Sequence, residues 1–169
     1  MSHVMVSHQR ASRAPIMTDH TTFLSLVGAV ERYFELMFDS DVSLFDQVFA
    51  SSAQLHGLRD DNLRLLSAQD YKTALVSGPS PKAKNSPRLQ EILLIDFASA
   101  TQAMVKVRVR IDAVLYLDYL SFHRIKGMWI ITAKSFHVER RFPSRVDRSA
   151  EPHMPGPIAS AFSKPETIR

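Results

Sequence analysis

Few side chains in this sequence can do acid–base or nucleophilic work, and histidine is the first to consider because its unperturbed pKa lies near ~6.5. His56, His123 and His137 fall in the middle of the chain. His56 is the one placed as a candidate acid or base. Strand alternation sends it and the adjacent Gly57 to opposite faces, so its facing stays open at this point. Each of the three also has a plain reading as a structural histidine. Lys106, Arg108 and Arg110 alternate along one apparent strand face. That row reads as a solvated face or a sheet surface meeting acidic partners, with anion binding as the third reading. The absence of cysteine excludes disulfides, cysteine zinc sites, iron–sulfur ligation and thiol nucleophiles, and fits a cytoplasmic protein. There is no glycine-rich phosphate loop, no His-x-x-x-His pair and no Gly-x-Ser-x-Gly elbow. No metal and no cofactor is therefore expected.

The charge must be located before it is interpreted. The chain of 169 residues carries 21 Lys+Arg against 17 Asp+Glu. Residues 1–18 hold Arg10 and Arg13 and no acid, and residues 140–169 hold six basic against three acidic residues. The stretch 19–139 is left with 13 basic and 14 acidic residues. The basicity is a property of the ends, so a nucleic-acid partner is not expected. Nor is a membrane, since no apolar run approaches the ~18 residues a spanning helix needs.

The elements that must position any site follow from periodicity. Phe23, Leu26, Val27, Val30, Tyr33, Phe34 and Met37 recur at three- and four-residue steps, which predicts an amphipathic helix over about 21–38. Asp39-Ser40-Asp41 ends it and caps a short second helix bearing Leu44, Phe45, Val48 and Phe49. Ala53–Leu58 reads as a short strand, with Leu63–Leu66 as its partner. Ser67-Ala68-Gln69-Asp70 resembles a capping box opening a helix to about Val76. From Arg88 the period changes to two, giving strands over 89–98, 104–112, 116–125 and 128–137, with Lys126-Gly127 as a tight turn between the last two. Helices first and strands later make this α+β, with a four-strand antiparallel meander. The expected organisation is a flexible extension over 1–18, a domain over 19–139, and a Pro/Arg-rich arm over 140–169 that holds five of the nine prolines.

Several of these segments resemble a known family. Val30-Glu31-Arg32-Tyr33-Phe34, then Leu44-Phe45-Asp46-Gln47-Val48-Phe49-Ala50, is similar to the opening of nuclear-transport-factor-2-like domains. Asp118-Tyr119-Leu120-Ser121-Phe122, Gly127-Met128-Trp129-Ile130-Ile131 and Lys134-Ser135-Phe136-His137 extend the resemblance toward the putative lumazine-binding branch, over about residues 20–139. The resemblance implies a cone-shaped domain in which a strongly curved sheet wraps the long helix. It leaves a small-molecule pocket at the open end, often within a homodimer.

Ketosteroid isomerases share that shape and combine a carboxylate base with an oxyanion hole of a tyrosine and a protonated aspartate. By resemblance Tyr33 takes the place of the tyrosine and Asp118 that of the protonated aspartate. The place of the base falls on Gly57, with His56 beside it and Asp60 three residues on. Tyr33, Phe34, Met37, Leu55, Tyr119 and Phe122 are expected to line the pocket. The implied function is binding of an apolar or polycyclic ligand with isomerase-, cyclase- or dehydratase-like chemistry, the alternative being a non-catalytic dimeric binding or assembly module. Tyr33 also lies on an apolar helix stripe, where a core tyrosine with a satisfied hydroxyl is the plainer reading.

Overall fold

The computed structural model describes residues 19–59 and 61–143. Asp60 and the two terminal segments expected as extension and arm, apart from residues 140–143, lie outside the described residues. The long helix α1 spans His20–Asp39. Asp19 caps it by accepting the Thr22 N–H at 2.6 Å, and Ser40 ends it in the left-handed region at φ 55, its N–H returning to Leu36. A single 3-10 turn over Val42–Leu44 leads into the one-turn helix α2, Phe45–Val48. The expected capping box forms: Asp70 N–H donates to the Ser67 hydroxyl at 3.1 Å, and the Asp70 carboxylate accepts from the Ser67 backbone. It opens α3, Ala68–Leu75.

Six strands make one open sheet: β1 Phe49–Arg59, β2 Asn62–Ser67, β3 Gln90–Ser99, β4 Gln102–Ile111, β5 Val114–Ile125 and β6 Met128–Arg141, in the order β2-β1-β6-β5-β4-β3. The expected meander is β3 to β6. Two expectations are corrected. The first strand is far longer than Ala53–Leu58 and takes over Phe49, because that residue pairs with Ile131 of β6 instead of continuing the helix. The last strand, expected over 128–137, runs on to Arg141, and Phe142 N–H still bonds Ala113 O at 2.7 Å. β1 joins the meander by pairing parallel to β6, which turns a hairpin and a meander into one sheet. The Lys126-Gly127 turn has φ of 50 and 86, the paired positive values of the tight hairpin, and glycine is needed at the second.

The apolar stripe of α1 (Leu26, Val30, Tyr33, Met37) packs against the inner face of the sheet, formed by Val105, Val107, Val109, Leu120, Phe122, Trp129 and Ile131. The outer face carries the basic row. Arg108 lies between Glu139, which takes two hydrogen bonds at 2.6 and 2.9 Å, and Glu91 at 2.6 Å. Its acidic partners therefore come from the same sheet, Glu91 on the adjacent β3 and Glu139 on β6 two strands away. Lys106 stacks over the exposed Tyr119 ring at 5.3 Å.

One position on β1 has no room for a side chain. Gly57 is opposite Phe136 across the parallel pair, and a Cβ on Gly57 would overlap the Phe136 ring. Gly57→Ala should therefore destabilise the fold by about 1–3 kcal/mol, as overpacking does. Adding Phe136→Leu should return most of that loss in urea unfolding. Equal stability of Gly57→Ala and wild type would show that the ring is free to move aside.

Candidate functional site

The side chains with chemistry gather where α1, α3, β5 and β6 converge. Tyr33 and Asp118 come together as the resemblance implied: the Tyr33 hydroxyl donates to Asp118 Oδ2 at 2.5 Å, and both residues are fully buried. A third member joins them. Lys134 Nζ lies 3.0 Å from the same Asp118 oxygen and donates to Tyr33 Oη at 2.8 Å. It also reaches Tyr71 Oη at 3.5 Å and sits 5.2 and 5.3 Å from the centres of the Tyr33 and Tyr71 rings. Asp118 is thus not an isolated carboxyl on an apolar wall; it faces a cation. No donor among the described residues reaches its Oδ1, so one oxygen takes both bonds.

The electrostatics follow from burial and pairing. Burial alone would lower the pKa of the Lys134 ammonium, but the Asp118 charge, Tyr71 and the hydrogen bonds to both outweigh it and hold the value above the ordinary lysine range. Burial, reinforced by the Asp118 charge, pushes Tyr33 well above the ordinary phenol value. Tyr71 is also raised, by burial first, with the neighbouring ammonium opposing. At neutral pH the site holds a charged lysine and two neutral phenols.

Lys134 was not expected, and the reason is a β-bulge. Phe122 pairs with Ile131 and Ser121 with Ala133, so β6 carries one extra residue, Thr132, at that point. Before the bulge Trp129 and Ile131 face the core; after it Lys134, Phe136 and Val138 do. Strict alternation from Ile131 would have sent Ala133, Ser135 and His137 inward and Lys134 to solvent. Thr132 is tied to the outer face, its hydroxyl 2.7 Å from His123 Nδ1 and donating to Ser121 O at 3.3 Å.

Beside this cluster is a cavity of about 600 Å³, within the range of small-molecule sites. Leu55, Leu66, Leu75, Ile111, Tyr116, Phe136 and Val138 supply walls, Lys134 and Tyr71 a polar patch, and Arg64 and Arg141 further lining. Leu55 lies on this wall, but the other expected lining residues do not. Tyr33 and Asp118 lie behind Lys134; Phe34, Met37 and Phe122 are consumed by the core. Tyr119 follows Asp118 in a strand and so points to the opposite face. His56 alternates with the inward Leu55 and Gly57 and does not line the cavity. The place of the base, Gly57, is closed by Phe136. Among the described residues no cluster of three or more His, Cys, Asp or Glu could hold a metal. No helix among them is long and apolar enough to cross a membrane.

A helix laid in a six-stranded, mostly antiparallel curved sheet with a cavity at one end defines a nuclear-transport-factor-2-like domain, and solved structures agree. A protein of this class and of unknown function from Silicibacter pomeroyi superposes with TM-score 0.65 at 19% identity, covering 72% of this chain and 99% of that one. Another from Shewanella baltica gives 0.63 at 21%, covering 73% and 98%. A ketosteroid isomerase-like protein from Erwinia carotovora atroseptica gives 0.57 at 11%, covering 72% and 99%. These likenesses establish the fold alone. The chain belongs to the family described as putative lumazine-binding, which matches residues 24–137. No curated protein matches the sequence.

Two outcomes test the buried cluster. Lys134→Met leaves a buried carboxylate without its cation and should cost about 3–5 kcal/mol, whereas the double change with Asp118→Leu should cost much less. Additive losses in urea unfolding would show that the two side chains are not coupled. The second outcome concerns alkali. Groups whose pKa is raised by folding stabilise fully below their unfolded values and lose that contribution as pH rises through the folded ones. Tyr33, Tyr71 and Lys134 are all raised, so stability should hold to about pH 10 and fall above it. Tyr33→Phe should flatten that fall; an identical decline would rule out a Tyr33 contribution.

Proposed function

We propose that this protein binds a small, largely apolar molecule in the cavity beside α3 and β6, with a carbonyl-type oxygen of that molecule set against Lys134 and Tyr71. The observation that supports this is the state of the Tyr71 hydroxyl. It donates at 2.9 Å to the thioether of Met37, a weak acceptor. Its contact with Lys134 is at the long limit of a hydrogen bond, 3.5 Å. A ligand oxygen entering between them would exchange a poor acceptor for a good one and take up an ammonium N–H that is loosely held. Membership of a family described as putative lumazine-binding points the same way, to a small-molecule ligand.

The same geometry favours binding over proton-transfer catalysis. Among the described residues that line the cavity, none carries a carboxylate or an imidazole. A polarised carbonyl would have donors but no adjacent base.

The test compares acetylnaphthalene with ethylnaphthalene by calorimetric titration. The ketone should bind more tightly, and Tyr71→Phe should weaken it by about twofold to tenfold, as loss of one hydrogen bond does. The hydrocarbon should bind wild type and Tyr71→Phe alike. A ketone that binds no better than the hydrocarbon would refute the donor pair, and no binding by either would refute the pocket.

A further inference from the structure

The charges around the cavity are distributed unevenly. At its inner end Lys134 is in contact with Asp118, and both are buried. The two charges cancel, so a second carboxylate placed there would leave a net buried negative charge, which is costly. The inner end therefore selects an uncharged oxygen.

The exposed lining residues differ. Arg64 of β2 and Arg141 at the end of β6 both line the cavity. Among the described residues neither has an acidic partner, and no acidic side chain lines the cavity. Elsewhere in the domain Arg108 pairs with Glu91 and Glu139, Lys72 with Asp46, Lys82 with Asp39 and Lys84 with Asp112, none of which lines the cavity. A guanidinium presents a planar fork of donors suited to a carboxylate or phosphate. Two such forks on strands that approach one cavity make a positive rim around apolar walls.

Resting on the binding reading above, we infer that the ligand carries an anionic group at the end opposite its carbonyl: an apolar oxo acid, its neutral oxygen inward and its anion at the Arg64 and Arg141 rim. Exposed ion pairs are individually weak and screened by salt. The rim sets the ligand's orientation and its class more than its total affinity.

The experiment uses the full chain and an acetylnaphthalene carboxylic acid, with acetyl and carboxyl groups at opposite ends of the rings, against the matching carboxamide. In low salt the acid should bind about threefold to tenfold more tightly than the amide. That preference should disappear in Arg64→Gln/Arg141→Gln and in about 0.5 M salt, while amide binding stays unchanged in both. Equal binding of acid and amide to wild type overturns the anionic end and leaves the pocket reading standing. A preference that survives in the double variant also overturns it, since the anion is then held elsewhere. Binding of neither probe removes the pocket reading and this inference together.

Discussion

The arrangement depends on one ammonium group kept out of water. Lys134 brings a positive charge into the inner face of the sheet, where an uncompensated ion would cost several kcal/mol. Its surroundings match that demand: a carboxylate at 3.0 Å, one phenol oxygen at 2.8 Å, a second at 3.5 Å, and two aromatic rings at cation–π distance. These groups come from α1, α3, β5 and β6. The charge network therefore links elements far apart in sequence. Tyr33 and Asp118, the two residues to which the resemblance gave chemistry, both contact Lys134, and Lys134 lines the cavity.

The cavity owes its shape to an equally local constraint. The Phe136 ring occupies the space a Gly57 side chain would need, and it meets Tyr116 edge-on at 6.2 Å. The wall there is apolar. α3 closes the other side, and its capping box fixes where Tyr71 begins. Stacking of Phe45 on Phe49 at 5.0 Å, with Tyr71 edge-on to Phe49, then holds that ring against the core. Among the described residues, a lining with donors but no carboxylate or imidazole is a consequence of this packing.

Much of this was legible in the sequence. The α1 stripe, the Ser67–Asp70 box, the Lys126-Gly127 turn and the four strands of the meander all follow from spacing and turn chemistry. The juxtaposition of Tyr33 and Asp118 was legible only through family resemblance. The parallel pairing of β1 with β6 was not legible, because contacts between distant strands leave no local period. Lining residues were misplaced for a related reason. Phe34, Met37 and Phe122 are apolar like the true wall residues, and composition does not separate a side chain packed in a core from one beside a space. Tyr119 was different: its alternation with Asp118 already placed the two on opposite faces.

Lys134 was hidden by Thr132. A strand pattern has a phase as well as a period, and a bulge is a phase slip that leaves the period intact on both sides. In β6 a bulge that absorbs Thr132, held by His123 and the Ser121 carbonyl on the outer face, keeps Lys134 inward where unbroken alternation of the same residues would turn it out. The bulge is thus a variable of this site alongside side-chain identity. Removing Thr132 would leave a regular strand with Lys134, Phe136 and Val138 still inward, whereas flattening the bulge with every residue kept would turn Ala133, Ser135 and His137 inward instead. Among relatives of this fold, equivalent positions in the last strand can be matched only after the bulges between them have been counted.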